Sequence, residues 1–465
     1  MTRQVALYGG SFNPPGRHHR QAVELLCRVL DEVRVIPCGP RPDKPTTDAI
    51  AAVHRAAMAD LTFGDLPGVS VDLFDLEADT FTRTWELQER YRDQGEVWHV
   101  VGADLVAGGA RGEAPIQRQW SRGEHLWSQG RFVVLHRPGS PLTPEDLPPH
   151  HRVLEAHIEG ESTTIRERLF RGEPVADALL PAVADYVERH ALYRGLPPRR
   201  STRITLPELR PLVVADSRHE RALALAEPFR GEAEPADPNV ILVVGGDGTM
   251  LRAIRTHWRR RLPFYGINAG HLGFLLNRAP PDRAAPGALT GELLPLLWVE
   301  TEDLDGQAHE CLAFNDAWVE RASGQTACLR VVVDERVRIS PLVADGALVS
   351  TAAGSASYAR AMGAQPLPLG TPALLLVGSN VLRPPVFRPV VLPLHARVEL
   401  ASLDPEKRPL HGFVDGVPKG RVRRLRARVS RIAAVELAFA PETHPAEKLA
   451  RIQFPLADPG PLEPS

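Results

Sequence analysis

Two short strings combine glycine with residue types that handle phosphate. Gly9-Gly10-Ser11-Phe12-Asn13-Pro14-Pro15 ends the apolar run Val5 to Tyr8 and is followed by His18-His19. Gly245-Gly246-Asp247-Gly248-Thr249 ends the run Val240 to Val244, before a helical pattern from Met250 to Trp258. Glycines let backbone amides approach an anion, and a helix start adds unpaired N–H groups and the positive end of the dipole. The first string adds imidazoles. The second places a carboxylate inside the cradle, which is costly beside polyphosphate unless it meets Mg²⁺ or accepts a proton, so Asp247 is a candidate base. Each string alone also fits a plain tight turn at a strand end.

The elements that must hold these strings read as α/β. Through the first 190 residues, buried-strand runs (Val5 to Tyr8, Val33 to Ile36, Val69 to Phe74, Val97 to Val101, Phe132 to Leu135) alternate with amphipathic stretches (Gln21 to Leu30, Ile50 to Leu61, Thr84 to Tyr91). This alternation predicts a doubly wound parallel sheet covered on both faces. After the helical stretch Ala176 to Tyr193, a segment over 195–205 with Pro197-Pro198 has no apolar period and reads as a linker. A second α/β pattern follows, with strands at Pro211 to Ala215, Val240 to Val244 and Pro263 to Ile267. From about Leu293 to Ala440 short, turn-separated runs predict a β-rich subdomain. The expected domains are 1–194 and 206–456, with a loose Pro-rich tail over 457–465.

At 465 residues the chain has length for two or three cores. Lys+Arg 55 against Asp+Glu 57 gives a net charge of -2, without the positive field that nonspecific nucleic-acid binding uses. Four cysteines with no CxxC spacing suggest neither a disulfide framework nor a zinc ribbon, and a reducing cytoplasm fits best. No export signal is visible. The chargeless stretch Ala361 to Leu382 carries three prolines and does not read as a membrane span.

Beyond these generic features, GGSFNPP followed by His19 resembles the nicotinate or nicotinamide mononucleotide adenylyltransferases, with their GG(S/T)F(D/N)P and His-x-Gly-His. Lys44, Arg55, Thr80-Phe81-Thr82, Gly102-Ala103-Asp104, Trp120, Arg137-Pro138-Gly139 and Ser162-Thr163-Thr164-Ile165-Arg166 match in order. The resemblance covers about residues 3 to 193 and implies a Rossmann-like nucleotidyltransferase domain. It implies attack of the mononucleotide phosphate on the α-phosphorus of ATP, with pyrophosphate leaving. His19 would be catalytic, stabilising charge at the α-phosphate. Gly9, Gly10, Ser11, Phe12, His18, Lys44 and Arg137 would line the nucleotide site. Ser162, Thr163 and Arg166 would hold ATP phosphates, Trp120 would stack on the pyridine ring, and Asp104 would orient ribose or mononucleotide groups. The chain departs at Gly16-Arg17-His18-His19, where Gly16 stands at the first histidine of the motif and His18 at its glycine. Three readings are open: His18 replaces the missing ligand from a shifted position, the pocket takes another base or pose, or this half is weak in catalysis.

The second string, with Gly266-Ile267-Asn268-Ala269-Gly270-His271-Leu272-Gly273-Phe274-Leu275, Asn315-Asp316, Asp345-Gly346, Thr351 to Tyr358 and Asp415-Gly416, resembles NAD kinase over about residues 208 to 455. This implies a kinase-like α/β core plus the β-rich subdomain, and transfer of the ATP γ-phosphate to the 2'-hydroxyl of the adenosine ribose of NAD. Asp247 would be the catalytic base, with Gly245, Gly246, Gly248 and Thr249 cradling phosphates and Mg²⁺ arriving with ATP. Asn268, Asn315, Asp316, Asp345, Thr351, Ser355 and Tyr358 would line the dinucleotide site, Asn315 and Asp345 at its adenine and nicotinamide ends. Asp316 replaces the usual Glu, and Ala356 removes a hydroxyl that usually meets adenine. The expected partners are ATP, a pyridine mononucleotide and NAD, with no nucleic acid or membrane, and a second copy through the kinase half.

The basic run Arg421 to Val429 reads as a strand with a solvated basic face, and His150-His151 and His309-Glu310 lack metal-ligand spacing. The resulting expectation is a bifunctional enzyme that makes NAD, or deamido-NAD, and phosphorylates NAD. Two other hypotheses stand beside it: a kinase whose first half senses nucleotides or acts as a scaffold, and a chain in which both pockets, at His18 and Ala356, have shifted toward another base.

Overall fold

A computed structural model describes residues 2–41, 50–137, 142–198, 201–206, 208–231, 235–270, 273–282, 287–443 and 445–454. Lys44, His271, Leu272, Pro138, Gly139 and the 457–465 tail lie outside the described residues. Two compact units divide at Arg199 and Arg200.

The first unit holds β1 (Gln4–Gly10), β2 (Glu32–Pro37), β3 (Val69–Val71), β4 (Glu96–Gly102), β5 (Arg131–His136) and β6 (His150–Glu155) in one parallel sheet of order β3-β2-β1-β4-β5-β6. Val5, Ala6, Val33, Val35, Phe132, Val133 and Val134 are wholly buried, which is why these strands read as continuous apolar runs. Chain order reverses between β1 and β4. Ligands in such sheets bind outside the C-terminal strand ends at that point, where Gly9 and Gly10 lie. Several boundaries differ from those expected. The strand expected over Val69 to Phe74 ends at Val71, because Phe74–Ala78 is helical and Asp75 accepts hydrogen bonds from the Thr82 N–H and the Thr80 and Thr82 hydroxyls. The first helix is Arg17–Leu26 rather than Gln21 to Leu30, and the last is Pro181–Arg189, with proline in its first turn. The edge strand β6, at His150-His151, was not anticipated; most of its side chains are exposed, so it carries little apolar signal.

In the second unit, Pro211–Ala215, Val240–Gly245 and Phe264–Asn268 pair in parallel, with one helix, Asp247–His257, between the last two. Apolar clusters cover both faces, around Met250, Ile254 and Phe274 on one and Val240, Leu242 and Tyr265 on the other. Expected short runs are replaced at both ends of the β-rich part by long strands, Ala288–Asp303 and Val417–Phe439, which pair with each other and carry the sheet from the parallel core into the β-rich region. Register breaks at Pro295/Leu297, where proline lacks a donor, divide each long strand into shorter apolar stretches. Ser201–Thr205 is not linker but a strand paired with Ala288–Glu292. Arginines of the basic run face glutamates: Arg423 and Arg424 pair with Glu302, and Arg426 with Glu300 and Glu399 at 2.8 and 2.9 Å. Val422, Leu425 and Ala427 are buried while these arginines are paired, so the face is ion-paired rather than simply solvated. No described helix is long and apolar enough to cross a membrane; within Ala361 to Leu382, residues Ala373–Ser379 are a strand.

Candidate functional sites

At the C-terminal end of β1 the loop is built from the inside outward. Phe12 is buried at φ 42 and packs against Tyr8, His19 and Phe63 at centroid distances of 5.1 to 5.5 Å. Its ring therefore supports His19. Buried Arg55 donates to the carbonyl oxygens of Ser11 and Cys38 at 2.7 and 2.6 Å, tying this loop to the end of β2. Gly9 is open on its side-chain face.

His19 Nδ1 accepts the Gly16 N–H at 3.1 Å, leaving Nε2 to carry the ring proton. The imidazoles of His18 and His19 are in contact, centroids 4.0 Å apart with the rings tilted by 39°. A Cβ on Gly16 would lie 2.6 Å from both Nδ1 and Cε1 of His18 and 2.9 Å from Ile165 Cδ1. The His18 ring thus occupies the space that a side chain at residue 16 would take, which favours the shifted-position reading. Gly160, just before the helix Ser162–Arg171, presses on the same ring: its Cβ would be 3.0 Å from His18 Nδ1. Two helix starts, at Arg17 and Ser162, therefore converge on the imidazole pair. Burial first, and the Arg137 cation after it, push His18 down to about 4. Burial, then His18 and Arg137, hold His19 well below the usual imidazole range. Both rings are neutral N–H donors at neutral pH until an anion arrives.

Ser162 Oγ donates to the Pro14 carbonyl at 2.9 Å, and Arg166 to the Asn13 carbonyl at 2.7 Å and to Thr163 Oγ at 3.1 Å. Expected as phosphate ligands, Ser162 and Arg166 brace the first loop, and Thr163 is exposed at the start of the helix. Exposed Asp104 follows β4, and half-buried Trp120 packs against the cluster around Val101 and Ile116.

In the second unit, Asp247 opens the helix Asp247–His257, whose N-cap is Gly246. Its carboxylate accepts the N–H groups of Phe274 and Leu275 at 3.1 and 3.0 Å, so the two sequence motifs meet on one side chain. Burial raises its pKa, against those N–H groups and the nearby Lys448 cation, moving it toward the range useful to a base. Lys448 was not anticipated. It donates to the carbonyls of Gly273, at 2.9 Å, and Leu276, and burial brings it down to about 8. It sits on the last helix, Pro445–Gln453, where nothing in local spacing marks it.

Gly246 and Gly248 have open side-chain faces, as a cradle requires, whereas a Cβ on Gly245 would lie 2.6 Å from Thr249 Oγ1. That buried hydroxyl donates to Asp216 at 3.2 Å, so Thr249 anchors the helix instead of offering its side chain. Asn268 Oδ1 accepts the Gly270 N–H at 3.0 Å and shapes the loop that reaches Asp247.

Farther along, Asp415 (φ 46) accepts the N–H groups of Phe314, Asn315 and Asp316 at 2.8, 2.8 and 3.2 Å. Asn315 Oδ1 is buried without a hydrogen-bond partner, a sign of a polar ligand at this point. Burial, and then the Asp415 charge, push Asp316 up to about 7. Thr351 Oγ1 donates to the Phe314 carbonyl at 2.7 Å; Ser355 Oγ donates to the Ala352 carbonyl at 2.6 Å and accepts the Leu367 N–H at 2.7 Å. These two hydroxyls, expected as ligand contacts, are spent on the loop. Half-exposed Tyr358 packs on Trp318 at 5.0 Å, close enough to feel both Asp316 and Asp345. Asp345 is held by Arg321 at 2.6 Å and Asn380 at 2.7 Å. Asp316 and Trp318, two residues apart on the strand Asp316–Arg321, share one sheet face, and Tyr358 packs on Trp318 there.

Residues 216–290 match the ATP-NAD kinase N-terminal domain family, and residues 7–168 the cytidylyltransferase-like family. The NAD kinase of Rickettsia bellii is 34% identical over 223 residues, which are 47% of this chain and 86% of that protein. That of Hyphomonas neptunium is 31% identical over 226 residues, 48% and 89% of the two chains. A solved yeast NADH kinase complexed with NADH is similar at a TM-score of 0.42 and 14% identity, covering 79% of this chain and 89% of that one.

Proposed function

From the premise that this chain belongs to the NAD kinase family, with a cytidylyltransferase-like nucleotidyltransferase domain fused ahead of the kinase domain, we propose that it carries out two successive reactions on one metabolite. The first unit transfers the adenylyl group of ATP to nicotinamide or nicotinate mononucleotide, releasing pyrophosphate. The second phosphorylates the 2'-hydroxyl of NAD. The observation that carries the first assignment is the His18 imidazole standing in the space opened by Gly16, in tilted contact with His19 between two helix starts. Nε2–H of His19 donates to the α-phosphate as charge grows there, and amides of the glycine loop and helix starts share the rest; no protein nucleophile is needed. In the second unit Asp247 takes the 2'-hydroxyl proton as the γ-phosphate is attacked, while the open faces of Gly246 and Gly248 admit the triphosphate.

Mg²⁺ would enter on the triphosphate, where it neutralises charge, as suits a cation that keeps most of its water. The setting we propose is the cytoplasm, with a second copy of the chain associating through the kinase half.

Incubating the full chain with each mononucleotide, ATP and Mg²⁺, and separating products, tests the proposal. NAD and NADP from nicotinamide mononucleotide, or deamido-NAD from nicotinate mononucleotide, are expected; formation of no dinucleotide from either refutes it. Spending Ser162 and Arg166 on loop carbonyls favours a second reading, a first unit that binds nucleotide without turnover. Binding without pyrophosphate release would select it.

A further inference from the structure

The C-terminal half of the helix Asp247–His257 walls a cavity of about 170 Å³, space for several waters at about 30 Å³ each. Arg255 lies eight residues beyond Asp247, about 12 Å along the helix axis, so the cavity is apart from the glycine cradle. Its polar lining is Arg255, Lys419, Cys311 and Asp415, and its broad apolar walls include Trp258 and Phe314. Neither cation forms an ion pair among the described residues. The one carboxylate is committed, because Asp415 accepts three backbone N–H groups. Lys419 reaches the Cys311 sulfur, and both cations pull against the burial that raises this thiol. The cavity is therefore net positive, apolar on its sides, and shares Asp415 with the Asn315-Asp316 turn.

We propose that this cavity binds a phosphate-bearing ligand, its anion between Arg255 and Lys419 and its body against Trp258. Two unpaired cations over an apolar floor favour an anion whose other end is planar or apolar, since cation attraction is strongest where water is excluded. A bare phosphate group would use only the cations, whereas a nucleoside monophosphate would also cover the indole.

Cys311 reports occupancy from inside the cavity. Alkylation of the full-length protein by iodoacetamide, followed peptide by peptide, is measured with and without pyrophosphate or AMP, in the absence of Mg²⁺. Ligand at ten times its Kd is expected to slow Cys311 about tenfold. Cys328, a free cysteine of the same unit outside the cavity lining, serves as the internal control. In Arg255→Gln with Lys419→Gln the protection disappears, while an unchanged Cys328 rate shows that the fold of this unit is intact; should that rate change, the two single variants are compared instead. Protection by pyrophosphate alone assigns recognition to the anion, and protection by AMP alone adds the nucleoside; both support the site. Unaltered Cys311 alkylation with either ligand, or protection that survives loss of both cations, overturns it. This readout is independent of adenylyl transfer and of NAD phosphorylation.

Discussion

Replacing Gly16 by alanine tests the arrangement of the imidazole pair. The added Cβ would stand 2.6 Å from two ring atoms of His18 and 2.9 Å from Ile165, while ordinary contact begins near 3.4 Å. An overlap of about 0.8 Å cannot be relieved by small shifts: the ring is flanked by His19 at 4.0 Å and by Gly160, and Ile165 is buried. Forcing a side chain into such a site costs about 1–3 kcal/mol. That corresponds to amide exchange about 5-fold to about 150-fold faster where the opening is that of the helix Arg17–Leu26. Hydrogen exchange of the full chain, with peptides of the kinase unit as internal reference, reads this locally. Pyrophosphate release from mononucleotide and ATP is expected to fall alongside. Adding His18→Gly to Gly16→Ala removes the obstructing ring, so the pair should show a favourable coupling of about 0.5–3 kcal/mol. If Gly16→Ala exchanges like wild type, or the double variant is merely the sum of the singles, the ring does not fill the Gly16 space and the reasoning fails.

Three further outcomes are expected. Asp247→Asn keeps an acceptor for one of the Phe274 and Leu275 N–H groups, so stability should drop by about 1 kcal/mol, while NADP formation falls about 10²- to 10⁴-fold; a variant with near-normal turnover would remove Asp247 as base. Asp316 holds its proton more tightly when folded than unfolded, because burial and Asp415 push it to about 7. Its contribution to stability is therefore complete below about pH 4 and lost as pH rises through about 7; urea midpoints of the kinase unit should show this decline, and Asp316→Asn should flatten it. Ser355→Ala removes the acceptor of the half-buried Leu367 N–H and should lower stability by about 1 kcal/mol in the same urea titration; an unchanged midpoint would reject the bracing role.

Much of this was legible in the chain itself. Buried parallel strands declare themselves as apolar runs, so Val5 to Tyr8, Val33 to Ile36 and Val240 to Val244 lie within observed strands, and Pro211–Ala215 coincides with one. Edge strand β6, largely solvated, and the two long strands, interrupted in register, carry weaker periodicity and were missed or shortened.

By itself the sequence determined the two glycine-rich turns, the α/β class and the two families, since backbone turns and strand burial are encoded within a few residues. Tertiary structure alone decided how side chains are used. His18 fills the Gly16 space, Ser162 and Arg166 serve a loop about 150 residues away, Thr249 and Ser355 hydrogen-bond to Asp216 and the Ala352 carbonyl, and Lys448 comes to Asp247 from the last helix. The reason is physical: a polar group's role depends on which buried partner satisfies it, and those partners come from distant segments whose approach no local spacing records.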